Sequence, residues 1–182
     1  GEELCTLLDA ISTNTTHLFR EIRHFRFLKE TIGKWTHDSA WKSGHSTLRI
    51  WSAACSSGEE PHSIAMVAHD ALAQCRGVQL KIPATDISTK MLSRAQLGLY
   101  ETHRVGTVPS EYRAKYFRAV ESEAGGGLQV VPELRQTIQF ARFNLMTPTF
   151  PFHHGFDIIF CRNVMIYFDR PTQQALVGKF SN

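Results

Sequence analysis

Apolar positions recur along this chain with two alternating rhythms. Residues 1–34 carry them at helical spacing: Leu4, Leu7, Leu8 and Ile11 form one stripe, and Leu18, Phe19, Ile22, Phe25, Phe27 and Leu28 form another. Between them STNTT, residues 12–16, is a run of cap-forming side chains that starts or breaks a helix. The polar residues 36–47 predict a loop. The short apolar run Leu48 to Ala53 predicts a buried strand, and a helix follows from about Pro61 to Gln74, with Ile64, Val67, Ala68, Ala71 and Leu72 on its buried face. Pro61 suits a first helical turn, where its missing N–H has no partner to lose. A second strand is predicted from Val78 to Thr85, with Pro83 forcing a bulge or an edge because it cannot donate to a ladder. Residues 88–99 predict a helix with Met91, Leu92, Ala95 and Leu99 facing the core.

Beyond Glu101 the rhythm fails. Residues 101–137, with Pro109, Gly125–Gly127 and mixed charges, read as an inserted lobe. Strand-like runs then return at 138–143 and 156–161, around a turn holding Pro148 and Pro151, and a last helix begins near Pro171. Strands alternating with helices predict a mostly parallel sheet covered on both faces.

Composition narrows this picture modestly. At 182 residues the chain can bury one good core and a small appended lobe. A net charge of +3, with no run of more than two basic residues, excludes a strong nucleic-acid footprint. No stretch approaches the ~18 apolar residues of a membrane span, and no secretory leader is visible. Cys5, Cys55, Cys75 and Cys161 show no CxxC spacing, so reduced thiols and a cytoplasmic setting are expected. His62 and His69 share one helix face, but a single pair is short of a metal site and no HExxH occurs; no metal is expected.

The chemistry concentrates at strand ends, where ligands bind in open parallel sheets. After the first strand come Ala53, Ala54, Ser56, Ser57 and Gly58, short side chains that let backbone approach a ligand. Glu59 and Glu60 follow. Two acids at this turn would repel a phosphate, so the ligand implied is a nucleoside with a cationic or hydroxyl-rich part, a description that fits S-adenosylmethionine. Asp86 ends the second strand, somewhat farther past the glycine turn than the ~20 residues at which dinucleotide folds place their ribose-binding acid. A helix N-cap is its alternative role. Asn144 and Leu145 suit an adenine edge and face, against an Asx-turn leading to Pro148. Arg162 and Asn163 interrupt an apolar run at a strand end, which points to an anionic ligand over a structural ion pair.

Four motifs, NTTHLFRE, RIWSAACSSGEEPHSIAM, ATDISTKML and FDIIFCRNVMIYF, stand in this order from Asn14 onward. Together they resemble those of the chemotaxis receptor glutamate O-methyltransferases over nearly the whole chain. The resemblance implies a Rossmann-like class I S-adenosylmethionine-dependent methyltransferase fold over residues 48–182. An N-terminal helical segment (1–34) precedes it, and a small antiparallel β subdomain (101–140) is inserted. It implies methyl transfer to glutamate side chains on the cytoplasmic helices of chemoreceptors, leaving S-adenosylhomocysteine, by a cytoplasmic monomer. Cofactor-binding roles carry over to Asn14, Thr16, Arg20, Glu60, Asp86, Asn144, Leu145, Arg162 and Asn163.

The acceptor carboxylate is already ionised at neutral pH, so alignment and partial desolvation suffice without a general base. Arg20 can hold a carboxylate through its planar fork, either that of the substrate or that of the methionine moiety, and Tyr167 can orient the acceptor through its hydroxyl. Their alternatives are a surface pair with Glu21 or Glu2, and a core aromatic beside Phe168. Family members carry a helical domain before the NTT motif and further strands after the point where KFSN stands here, so an exposed sheet edge is expected. In some members the inserted subdomain captures a receptor-tail peptide by strand addition, and Gly125–Gly127 are placed at that edge loop, or else in a flexible hairpin. Another acceptor for the same fold, or a non-catalytic cofactor-binding module, are the other classes.

Overall fold

The computed structural model describes residues 16–121 and 126–181. Asn14, Cys5, Gly125 and the first apolar stripe lie outside them. The described elements are α1 (Ile22–His37), α2 (Ser39–Gly44), β1 (Thr47–Ala53), α3 (Glu59–Ala71), β2 (Gln79–Asp86), α4 (Thr89–Leu97) and β3 (Leu99–Tyr100). A 3-10 turn (Thr102–Val105), α5 (Ser110–Tyr116), β4 (Phe117–Val120), β5 (Gly127–Val130) and α6 (Pro132–Arg135) make up the lobe. Then come β6 (Ile138–Arg142), β7 (Ile158–Phe160), a 3-10 turn (Met165–Tyr167) and α7 (Arg170–Phe180).

Four parallel strands form the main sheet in the order β6-β2-β1-β7. The chain moves outward from β1 to β2 and β6, then crosses back to place β7 on the other side of β1. That reversal puts the topological switch point at the carboxyl end of β1. The antiparallel sheet β3-β5-β4 is separate. This is the α/β architecture with an inserted antiparallel sheet that the strand pattern and the resemblance imply. Residues 138–140, expected in the lobe, stand instead in β6 of the main sheet, because Ile82 and Ile138 pair there.

Other expectations change for local reasons. Pro83 lies in a central strand with neither bulge nor edge: the β1–β2 pairing lapses at Ile82 and Pro83, and resumes in the same register from Arg49–Lys81 to Ser52–Ala84. The polar stretch after residue 36 is largely helical. α1 runs on to His37, and Asp38 caps α2 by accepting from Ala40 N–H at 2.8 Å. Stacked rings Trp35, Trp41 and His45 hold the two helices together. In α1, Phe25, Leu28 and Ile32 are buried as a stripe, whereas Ile22 and Phe27 of the expected set face outward. Leu99 leaves the α4 face for β3, since Gly98 ends that helix with φ 57°.

Two apolar clusters flank the sheet. The larger joins α1, α3, one sheet face and the lobe through residues such as Phe25, Ile64, Val67, Ile82 and Tyr116. α3 is buried on nearly every side from Pro61 to Ala68. The smaller cluster surrounds Trp51, whose ring meets Phe143, Phe150, Phe152, Phe156 and Phe180 and whose indole N–H donates to Thr85 Oγ1 at 3.0 Å. Phe156, expected in a strand, is spent in this cluster, so β7 is shorter than its apolar run.

Candidate active site

A cleft of about 550 Å³ opens at the carboxyl ends of the four parallel strands. Its wall takes Ala54, Cys55, Ser56 and Glu60 from the β1–α3 connection, Asp86 and Ile87 after β2, and Phe143 to Met146 after β6. Arg162, Asn163, Val164 and the turn carrying Tyr167 come from beyond β7, and Thr16, His17 and Arg20 close the wall from the N-terminal segment. The structure thus gathers Thr16, Arg20, Glu60, Asp86, Asn144, Leu145, Arg162, Asn163 and Tyr167 around one space. Asn14 lies outside the described residues.

The first loop is shaped by backbone chemistry. Ala54 and Ser56 take φ of 60° and 49°, and Gly58 takes 92° before opening α3. A Cβ on Gly58 would stand 2.8 Å from Ala95 Cβ, so no other residue fits this approach to α4. Cys55 N–H donates to Thr85 O and Ser56 N–H to Asp86 Oδ2, tying the loop to the end of β2.

Adjacent helical positions diverge by about 100°, so the two acids part company. Glu59 is fully buried and turns away from the cleft; it accepts from Ser57 Oγ at 2.7 Å and pairs with Arg104. Arg104 also donates to Thr16 O. Only Glu60 lines the cleft, which corrects the reading of both acids as facing a ligand. Its Oε1 accepts from Ser52 Oγ at 2.8 Å, and its Oε2 is 3.4 Å from Arg162 Nη1. Burial pushes its carboxyl up to about 7, with Ser52 and Arg162 pulling the other way.

Asp86 is no helix cap. Ser88 caps α4 by accepting from Met91 N–H, while Asp86 takes Ser88 N–H at 2.9 Å on Oδ1 and Ser56 N–H at 2.8 Å on Oδ2. A carboxylate has about four acceptor directions, so each oxygen keeps capacity for a hydroxyl donor. Asn144 makes the Asx-turn named as its alternative, its Oδ1 accepting from Met146 N–H, yet it still lines the cleft. Leu145 is buried beside Trp51.

Arg162 lines the cleft and also makes the structural ion pairs named as its alternative. Nη2 donates to Arg20 O at 2.7 Å and lies 3.3 Å from Glu21 Oε2, Nη1 faces Glu60, and the guanidinium sits over Phe25. Glu21's carboxylate therefore goes to Arg162 and His24. Tyr167 is no core aromatic, being 61% exposed, whereas Phe168 packs on the Trp51 cluster. Cys55 and Cys161 line or flank this end of the sheet as thiols, burial holding Cys161 up at about 12 and raising Cys55 well above its ordinary value. His62 and His69 bond the hydroxyls of Tyr100 and Tyr116, tying α3 to the lobe.

The family model of the CheR methyltransferase SAM-binding domain matches residues 14–182. The chain belongs to this family. S-adenosylmethionine is the cofactor of the CheR domain, and a cleft that offers the carboxylates of Glu60 and Asp86 beside Asn144 and Leu145 fits it. Relatives include a chemotaxis protein methyltransferase of Borreliella burgdorferi, 42% identical over 99% of this chain and 63% of that protein. Chemotaxis protein methyltransferase 2 of Pseudomonas aeruginosa is 39% identical over 94% of the chain and 59% of that protein. The chemotaxis protein methyltransferase of Escherichia coli is 37% identical over 95% and 57%. The chain thus spans about three fifths of the length of these relatives.

Sequence reasoning missed Arg104 and the Phe19–Ser63 bond, which join residues distant in the chain, and the exposed apolar Met146 and Ile166 on the cleft wall. Ser63 lies in the motif RIWSAACSSGEEPHSIAM; Arg104 lies in the stretch without rhythm and leaves no signal.

Proposed function

We propose that this CheR domain catalyses methylation of glutamate side chains on chemoreceptor cytoplasmic helices, in the cytoplasm. The observation that carries this reading is that Arg20 and Tyr167, the two candidate acceptor residues, share one cleft with Glu60, Asp86 and Asn144. When bound, the cofactor supplies an electrophilic methyl on a sulfonium. Asp86 would receive ribose hydroxyls on the remaining acceptor directions of its two braced oxygens. Asn144, its carbonyl oxygen committed to the turn, would offer its NH₂ donors to the base, with Leu145 beneath. Arg20 would hold a carboxylate through its fork and Tyr167 would orient the acceptor oxygen, so that an already ionised nucleophile meets the methyl in line. No group in the cleft is asked to take a proton.

The test is calorimetric titration of the chain with S-adenosylmethionine and S-adenosylhomocysteine, followed by methyl transfer to a receptor cytoplasmic fragment. Tyr167→Phe should lower turnover at least tenfold, an effect of about 1.4 kcal/mol or more, while cofactor affinity stays within about twofold. A fully active Tyr167→Phe enzyme would remove the orienting role. Cofactor binding with no transfer to any receptor fragment would overturn this reading and leave a methyltransferase with another acceptor or a cofactor-binding module.

A further inference from the structure

Among the described residues, five that are not glycine adopt positive φ: Phe19 (56°), Glu21 (57°), Ala54 (60°), Ser56 (49°) and Asn163 (59°). Ala54, Ser56 and Asn163 line the cleft, and Phe19 and Glu21 bracket Arg20, which lines it too. Left-handed backbone is unfavourable for residues with a Cβ and persists where the surroundings over-determine it.

Around Arg20 they do. Thr107 Oγ1 donates to Leu18 O at 2.8 Å. Phe19 N–H donates to Ser63 Oγ at 2.9 Å, and that hydroxyl donates in turn to Glu59 O at 2.7 Å, one turn back in α3. Arg162 grips Arg20 O and Glu21 together. Four successive residues are thus held from the lobe, from α3 and from the end of β7. Glu21 occupies the N-cap of α1, where an acidic side chain ordinarily accepts from the helix's own N–H groups. Here it makes no cap bond and is turned to Arg162. Leu18 and Phe19 enter the core while the next side chain enters the cleft, and the two left-handed residues bracket that reversal.

We propose that Ser63 and Glu21 are positioning residues that aim Arg20 into the cleft. Neither lines the cleft; each acts through the backbone on either side of Arg20. The proposal rests on the reading of Arg20 given above, as the group that holds a carboxylate there.

A double-mutant cycle tests it. Ser63→Ala and Glu21→Gln are each made in the chain with Arg20 and in an Arg20→Lys background, which keeps the charge but not the fork. Methyl transfer to a receptor fragment and thermal midpoints are recorded for all variants. Each substitution should lower kcat/KM roughly tenfold beside Arg20 and less than about twofold beside Lys, because coupled residues do not add. Equal losses in both backgrounds, or no loss beside Arg20, overturn the proposal. Should Ser63→Ala fail to fold, Thr107→Val loosens the same segment from the other side and must show the same dependence on Arg20. If Arg20→Lys itself transfers methyl at the original rate, the role given to Arg20 falls, and the aiming of it falls with that role.

Discussion

Glu60 shows how much a single residue's environment decides. From the sequence, Glu59 and Glu60 were equivalent acids at one turn. The fold gives the first to Arg104 and the second to the cleft. Glu60 has a pKa near 7, raised by burial above the usual carboxylate range, although Arg162 and the nearby Arg20 favour its charge. Its ionised form should bind the cationic cofactor better, so binding below pH 7 must expel a proton. Affinity for S-adenosylmethionine is therefore expected to hold above about pH 7 and to fall as pH drops through it, by at most about tenfold per unit. Glu60→Gln should weaken binding at pH 8 and flatten this dependence. Titrations in two buffers of different ionisation enthalpy would reveal the proton, and a pH-independent affinity in the original chain would refute the coupling. Asp86 and Arg162 mark the limit of such reading from sequence. The position of each at a strand end was legible, but its partners, Ser56 and Ser88 for one and Glu21 and Glu60 for the other, lie far away in the chain or depend on a turn.

At the scale of elements, strands and helices with a clean period were legible: β1, β2, α3, α4 and α7 fall close to where the pattern places them. What failed was governed by neighbours. Pro83 is tolerated centrally because the parallel ladder can skip it without losing register, and α2 is stabilised by stacking that no local rule encodes. α3 carries a further consequence. Its His62 is fully buried against Tyr100, and burial, with Arg135 adding repulsion, lowers its pKa to about 4 from 6.5. The folded state thus holds a neutral ring. The contribution to stability is complete above pH 6.5 and is lost as pH falls toward 4, since the unfolded chain takes up the proton first. The full loss is on the order of 3 kcal/mol. Glu60 works in the opposite sense, its raised pKa favouring the fold as pH falls from 7 to 4.5, so the two partly cancel until about pH 4.5. Denaturant unfolding of Glu60→Gln should therefore expose the His62 slope between pH 6.5 and 4. A flat profile in that variant would contradict the assignment to His62.

At the largest scale, the described residues form a cofactor sheet with a second, smaller sheet mounted on α3 through the His62–Tyr100 and His69–Tyr116 contacts. The existence of this lobe was legible as a loss of rhythm, but its strand order was not, because two- and four-residue strands carry too little pattern. The glycine run was also misread in part. Gly127 opens β5 opposite Val120, and a Cβ there would stand 3.0 Å from Tyr100 O, so its bareness serves the packing of β3 on β5. Among the described residues β3 and β4 are the two edges of this sheet, and β4, Phe117–Val120, offers the longer one to a partner, four residues against the two of Leu99–Tyr100. A receptor-tail peptide adding along β4 would extend the antiparallel sheet by main-chain bonds, and four residues of edge limit the gain to a moderate affinity. The expected dissociation constant is roughly micromolar, about −8 kcal/mol. Proline at Ala119 or Arg118, whichever presents its N–H outward, should abolish binding while cofactor affinity is unchanged, because the edge lies apart from the strand ends that line the cleft. Fluorescence titration of receptor C-terminal peptides against the chain and both proline variants decides the matter. Peptide binding that survives both prolines would move the contact elsewhere, and absence of binding by every peptide, with normal methylation of a tail-less receptor, would make the lobe's edge irrelevant to docking.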